Sequence, residues 1–357
     1  MNVFGKTLSK REFLERFAHP SQFAGAIPCI LDYGKATGLK AVRVYTGAGL
    51  DFTILPTRGM DIAWATFNGK SLGFLSKTGP VHPRYYESKG LEWLRTFFGG
   101  LLTTCGLTYM GAPCIDEGEE LGLHGRITNI EAEDISIEQE WQDDEYIISV
   151  KGKVAEVKFF GVNLQLTRKI TVIAGQNIIK IDDTIENLGF KEEPLMVLYH
   201  FNFGYPLLSE TAKLYASGNK VIPRDEEAKS NRGVEEYNVF QPPTKDYKEK
   251  VFFLDLKADK NGMTKIVLIN EAMGIGIYEK FNKNQLPKFT EWKMMGQSEY
   301  VLGLEPGTAV PNGRKWVREQ GELMLIQPGE VKTFSIELGV LENKAQFEET
   351  IDSIMNI

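Results

Sequence analysis

The sequence predicts an all-β chain, a large antiparallel β-sandwich with a short helix near each end, and three observations carry that expectation. Apolar and polar residues alternate with period two along most of the chain. Turn-forming clusters interrupt the alternation at short intervals. The 35 glycines and 11% aromatic content supply tight turns and bulky inward side chains.

Each strand follows from its own pattern. Phe334, Ile336, Leu338 and Val340 fall on one face, with Ser335 and Glu337 on the other. Ile135, Ile137 and Trp141 repeat the pattern, as do Ile148, Val150 and Val154. Further strands are expected over 50–55, 166–173, 178–185, 196–200, 265–270, 275–281 and 301–305. Gln142-Asp143-Asp144, Ala174-Gly175-Gln176 and Lys260-Asn261-Gly262 separate neighbouring strands as turns.

Helices are few. Ser9 followed by Glu12 reads as a capping box ahead of Phe13, Leu14 and Phe17. Residues 87–98 read as a short amphipathic helix stopped by Gly99-Gly100. Phe347, Ile351, Ile354 and Met355 recur at helical spacing and predict a C-terminal helix packed on the sheet. With no internal repeat or linker, residues 1–357 read as one domain, with a helical extension over 1–25 and a closing helix over 343–357. The polar stretch 221–250 reads either as a functional loop or as an edge excursion.

A 357-residue chain that is 42% hydrophobic can bury a large core and shows no composition of disorder. A net charge of −7 without a basic stripe excludes a nucleic-acid partner. The N-terminal segment lacks the apolar run of a signal peptide, and nothing approaches the ~20 apolar residues of a membrane span. Cys29, Cys105 and Cys114 form no CxxC pair and read as reduced thiols of a cytoplasmic protein.

Of four histidines, His19 and His82 stand beside prolines in polar surroundings and read as loop residues. His124 sits between glycines in Gly122-Leu123-His124-Gly125, and His200 ends an apolar run followed by Phe201 and Asn202. Each is open to two readings, a satisfied core histidine or a site residue. Glu305 closes an apolar strand before Pro306-Gly307. It is either a solvated turn residue or a carboxyl whose burial raises its pKa toward a useful base. Arg58 and Arg126 could recognise an anionic group bidentately, or form structural pairs with Asp61 or Asp116. Trp93, Trp292 and Tyr109 could stack on a sugar face or belong to the core.

Taken together, Leu123-His124-Gly125, then His200-Phe201-Asn202, then Glu305-Pro306 with Pro311-Asn312 resemble the aldose 1-epimerase (galactose mutarotase) superfamily in residues and in order. The runs Leu55-Pro56-Thr57-Arg58-Gly59-Met60-Asp61-Ile62 and Gly99-Gly100-Leu101-Leu102-Thr103-Thr104-Cys105-Gly106-Leu107 resemble a mainly bacterial, aldose-1-epimerase-like branch of it. The resemblance spans roughly Pro56 to Leu338. It implies an antiparallel β-supersandwich that interconverts sugar anomers, with His200 as general acid and Glu305 as general base. His124, Arg126, Arg58, Asn202, Asp61 and Trp292 would bind the sugar, which Arg58 and Arg126 would make an acidic one. No metal or nucleotide cofactor is required; the implied partner is a small sugar, and a homodimer is left open. The chain departs from the superfamily pattern at Tyr199, where many members carry asparagine, and at Arg126, where a second glycine is usual. Two alternatives remain, a non-catalytic carbohydrate-binding protein and a metal-dependent sugar isomerase or epimerase on the same fold.

Overall fold

In the computed structural model, which describes residues 1–218 and 220–356, the alternating segments pair into two antiparallel sheets. Among the described residues, ten strands run edge to edge through the larger sheet. Their order is Lys220–Pro223, Lys250–Asp255, Lys288–Gly296, Glu299–Gly307, Met196–Phe203, Leu102–Leu107, Asp61–Phe67, Leu50–Leu55, Lys40–Tyr45 and Gly25–Ile30, with Lys70–Ser71 paired to Asp61–Phe67. The smaller sheet runs Glu133–Gln142, Glu145–Val157, Asn163–Ile173, Ile178–Asn187, Val331–Leu341, Ile275–Asn282, Met263–Asn270 and Lys213–Ala216. Inward rows from both sheets meet in one apolar cluster, with Phe52, Ile62, Phe201 and Leu302 against Val150, Ile170, Ile181 and Ile336. The expected strands are all present, several extended by a few residues.

The ends close the sandwich. Ser9 and Glu12 form the expected capping box on the helix Lys10–Leu14, and Phe13 packs edge-on against Trp141, 5.4 Å between centroids. The helix Lys344–Met355 buries Phe347 and Ile354 against Val267 and Ile269; Ile357 lies outside the described residues. No described helix is long and apolar enough to cross a membrane. The helix expected over 87–98 does not form. Gly90 takes a positive φ of 51°, and only one 3-10 turn, Glu92–Arg95, follows it. Tertiary contacts override the helical spacing: Trp93 and Phe97 are drawn into a buried cluster, and the Thr96 carbonyl is taken by Arg58.

The strand Met196–Phe203 is buried on both faces. Val197, Tyr199, Phe201 and Phe203 point into the inter-sheet core, while Met196 and Leu198 join Trp93, Phe97, Cys105, Met110, Ala309 and Val317 in a second cluster. Alternation therefore sends His200 to the outer face, under a layer of loops rather than into the sandwich.

Two buried arginines fix this arrangement. Arg168 sits on the inward row of Asn163–Ile173, and its guanidinium donates bidentately to Asp183 at 2.9 and 2.7 Å. Through Nη1 it also reaches Asp61 at 3.1 Å and Thr104 Oγ1 at 2.9 Å in the opposite sheet. Tyr199 donates to Asp183 at 2.7 Å, and Thr104 donates from N and Oγ1 to Asp61. Burial opposes the charge of Arg168, but Asp183 and Asp61 more than offset it and hold its pKa above the ordinary value. Asp61, expected at the ligand, is thus a fully buried sheet-to-sheet contact with no free oxygen to offer.

Arg58 is corrected in the same way. It is buried and donates to the carbonyls of Thr128 (2.7 Å), Val81 (2.7 Å) and Thr96 (3.0 Å), with its guanidinium 4.8 Å from the Phe98 ring centre. Burial lowers its pKa to about 10, with Asp61 opposing. It ties together three loop segments and cannot reach a sugar.

Arg168→Leu strands two buried carboxylates and should lose ~3–5 kcal/mol of stability in denaturant melts; a loss below ~1 kcal/mol would show the bridge to be dispensable. Arg58→Ala leaves three buried carbonyls unpaired and should cost ~3 kcal/mol or more. An unchanged melting temperature in Arg58→Ala would contradict that role.

Candidate functional site

The pairs Leu198–Gly307 and Phe201–Leu304 bracket His200 and Glu305, so the two residues stand opposite each other on adjacent strands. Thr103 pairs with His200 and Thr290 with Glu305, which completes a polar row across the outer face of the larger sheet. His200 Nε2 lies 3.2 Å from Glu305 Oε1, with side-chain exposures of 7% and 2%. The contact is close but misaligned for a hydrogen bond, and Glu305 Oε1 has no donor. His200 Nδ1, His124 Nδ1 and Trp93 Nε1 are likewise buried without partners. Buried polar atoms usually find partners, so four orphans within one cluster mark a place equipped to bind something polar.

His124 reaches this row from a loop. Its φ of 57° lies in the left-handed region, an uncommon setting for a non-glycine residue. Backbone bonds hold it there: its N–H donates to Gly111 O at 3.0 Å and its carbonyl accepts from Gly106 N at 3.1 Å. Gly125 is required for close backbone approach, since a Cβ would stand 2.3 Å from Gly106 O and 2.4 Å from Tyr109 O. The His124 and His200 rings are 5.8 Å apart. Trp93 stands 4.9 Å from His124, while Phe97 and Trp292 stand 5.5 and 5.3 Å from His200.

Low polarity sets the protonation. Burial pushes His124 down to about 4, and burial with the neighbouring His124 pushes His200 down to about 3, against a smaller opposing effect of Asn202. Burial raises Glu305 well above the ordinary carboxylate value; Glu249 adds to this and Arg224 opposes it. Burial thus favours the neutral form of both imidazoles and the protonated form of Glu305.

Of the residues expected at a ligand, His124, His200, Glu305 and Trp292 come together. Asn202 is fully buried: its Nδ2 donates to the carbonyls of His200 (2.8 Å) and Gly99 (3.4 Å), while its Oδ1 has no partner. It supports the histidine strand. Arg126 fails the expectation that it shares a strand face with His124, because the segment is not extended: Arg126 has φ −115° and ψ −21° and opens a 3-10 turn. It is exposed, and among the described residues no hydrogen bond or ion pair joins it to His124, His200 or Glu305. The pairings considered for it and Arg58 also fall elsewhere, since Asp61 holds Arg168 and Asp116 holds Arg314 and Arg318. His19 and His82 cap short 3-10 turns.

Three site residues escaped the sequence reading. Phe97 was concealed in the expected helix. Glu249 and Arg224 lie in the polar excursion, which docks beside the site: Trp292 Nε1 donates to Glu249 Oε2 at 2.8 Å, and Arg224 Nη2 donates to Glu249 Oε1 at 2.9 Å. The only signal was the length and polarity of that segment. Among the described residues no three His, Cys, Asp or Glu side chains gather as a metal-binding set.

Known structures share this architecture. A provisionally assigned aldose 1-epimerase from Klebsiella pneumoniae is 28% identical and superposes with a TM-score of 0.88 over 94% of this chain and 92% of its own. A galactose mutarotase-like protein from Clostridium acetobutylicum is 16% identical, with a TM-score of 0.62 over 90% and 99% of the two chains. The galactose 1-epimerase of Lactobacillus acidophilus is 13% identical, with a TM-score of 0.60 over 90% and 100%. These last two share the fold. No curated protein sequence matches. The family model described as a domain of unknown function, DUF4432, matches residues 36–340, and the chain belongs to that family, an uncharacterised branch on the galactose mutarotase-like sandwich.

Proposed function

We propose that this chain interconverts the anomers of a neutral aldose by acid–base ring opening, with His200 and Glu305 as the proton-transferring pair. The observation that carries the reading is the imidazole and carboxyl 3.2 Å apart, both nearly closed off from water and both with unmade hydrogen bonds. The ring oxygen and the anomeric hydroxyl of a sugar are bonded to one carbon, so two adjacent groups can serve both. One donates a proton to the ring oxygen as the bond from that oxygen to the anomeric carbon breaks. The other accepts the hydroxyl proton, leaving an aldehyde. Rotation about the next carbon–carbon bond and reclosure return both protons.

Burial biases the pair toward a neutral His200 and a protonated Glu305. Sugar hydroxyls donating to Glu305 would stabilise its carboxylate and so favour the proton on His200 instead. His200 then acts as acid and Glu305 as base, as the resemblance implies. His124 Nδ1 and Trp93 Nε1 remain free to bond sugar hydroxyls, and Trp292 offers an apolar ring face. The acidic-sugar expectation rested on Arg58, which is buried among carbonyls, and on Arg126, which is exposed on a 3-10 turn instead of sharing a strand face with His124; Arg224 is already paired with Glu249 and Asp225.

Anomer exchange followed by magnetisation transfer across a panel of aldoses should show catalysis by the wild type. His200→Ala and Glu305→Gln should each slow it ~10²–10⁴-fold while the protein stays folded. Binding without exchange in the wild type would leave a carbohydrate-binding protein and sink the enzymatic reading.

A second test uses stability. The Glu305 pKa is raised above 4.5, so the folded protein holds this proton more tightly than the unfolded chain does. Wild type therefore loses stability as pH rises above the ordinary carboxylate range, whereas a glutamine does not titrate. The melting-temperature advantage of Glu305→Gln should be larger near about pH 8 than near about pH 5. A pH-independent difference would mean that Glu305 titrates normally.

A further inference from the structure

At one end of the smaller sheet two turns carry apolar side chains into solvent. The turn after Glu145–Val157 presents Phe159 and Phe160, 85% and 94% exposed, with ring centres 4.1 Å apart. The turn after Ile178–Asn187 presents Phe190, 97% exposed. Leu188 N donates to Asn163 O at 2.9 Å, which locks the second turn beside the first. Val157 and Leu188 at the bases of the turns are also exposed. All five apolar residues border one open hollow of about 1140 Å³, which Glu117, Glu119, Glu193 and Arg314 also line.

We propose that these two turns seat a second copy of this chain across a two-fold axis. Three phenylalanines bring ~450–750 Å² of apolar surface. The largest patch on a monomer is ~300–600 Å². With the two aliphatic side chains and the walls of the hollow, the area approaches the ~800 Å² per partner of a stable interface.

Charge selects the occupant. Lys158 and Lys191 flank the phenylalanines, and Glu117, Glu119 and Glu193 border the same hollow, Glu119 paired with Arg314 and Glu117 with Arg318. A patch carrying both signs can be complementary to its own two-fold copy, lysines of one chain meeting glutamates of the other. A lipid surface fits worse, because these glutamates and the net charge of −7 would be repelled by an anionic leaflet.

Sedimentation velocity of the full chain at micromolar concentration should give twice the chain mass. Phe160→Asp and, separately, Phe190→Ser should weaken the dimer ~30-fold or more, as loss of a central anchor does, with melting temperature measured alongside. Both side chains touch solvent rather than core, so neither substitution should unfold the protein. A wild type that stays monomeric at every concentration, including one that pellets with phosphatidylserine vesicles, overturns the inference. Folded variants that dimerise as tightly as wild type also overturn it.

Discussion

The guanidinium of Arg168 is the contact on which the geometry of the site depends. It bonds Asp183 in its own sheet and Asp61 and Thr104 in the other, so it fixes how the sheets lie across the core. A charge in such a place is costly to desolvate, and the ion pairs return little net stability over an apolar core. What the network supplies is registration. Tyr199, bonded to Asp183, precedes His200, and Thr104 follows Thr103, the partner of His200. Two successive residues on one strand thus have opposite tasks, Tyr199 holding the strand from below and His200 facing the site above.

The site itself departs from the rule that buried polar atoms find partners. Each buried polar atom left without a partner costs ~1–3 kcal/mol, and His200, Glu305, His124 and Trp93 together carry four. The core buried between the sheets offsets that cost. In return the carboxyl and imidazole are held in a medium of low polarity, where their proton affinities are pushed in opposite directions and a hydroxyl entering between them would meet strong donors and acceptors.

Much of this was legible in the sequence, and the reasons it was legible are physical. Strands with one solvated face announced themselves by alternation, and Leu50–Leu55 was bounded to the residue. His200 and Glu305 were visible because a titratable group ends an otherwise apolar strand, and the motif order linked them. The face of His200 was not visible, because a strand buried on both sides reads as a continuous apolar run. Arg168 could have been found: it shares parity with Leu164, Leu166 and Ile170, which places it on the inward row. Arg58 was placed at the sugar because a guanidinium suits an anionic group, and the structural alternative paired it with Asp61, three residues away. Its actual partners are carbonyls of residues 81, 96 and 128, which only the tertiary fold brings near. The same limit concealed Arg224 and Glu249, whose place beside Trp292 depends on how a long excursion docks.

That docking shows how a sandwich can carry an ordered outer layer with little helix in it. Irregular backbone has carbonyls without ladder partners, and burying them unpaired is prohibitive. Here buried cations accept the task. Arg58 collects three carbonyls from the loops that bear Trp93, Phe97 and His124. Lys293 donates to the carbonyls of Glu236 and Val239, and Lys250 to that of Ser230, which pins the excursion bearing Arg224 and Glu249. Arg314 takes the carbonyl of Thr108 at 3.3 Å while paired to Asp116. A cation with several donors can satisfy carbonyls from segments that share no hydrogen-bond ladder, so the loops over the site are free to differ in course and sequence from the sheet beneath them. The sheet supplies His200 and Glu305, and the loops, fastened by these side chains, supply what surrounds them.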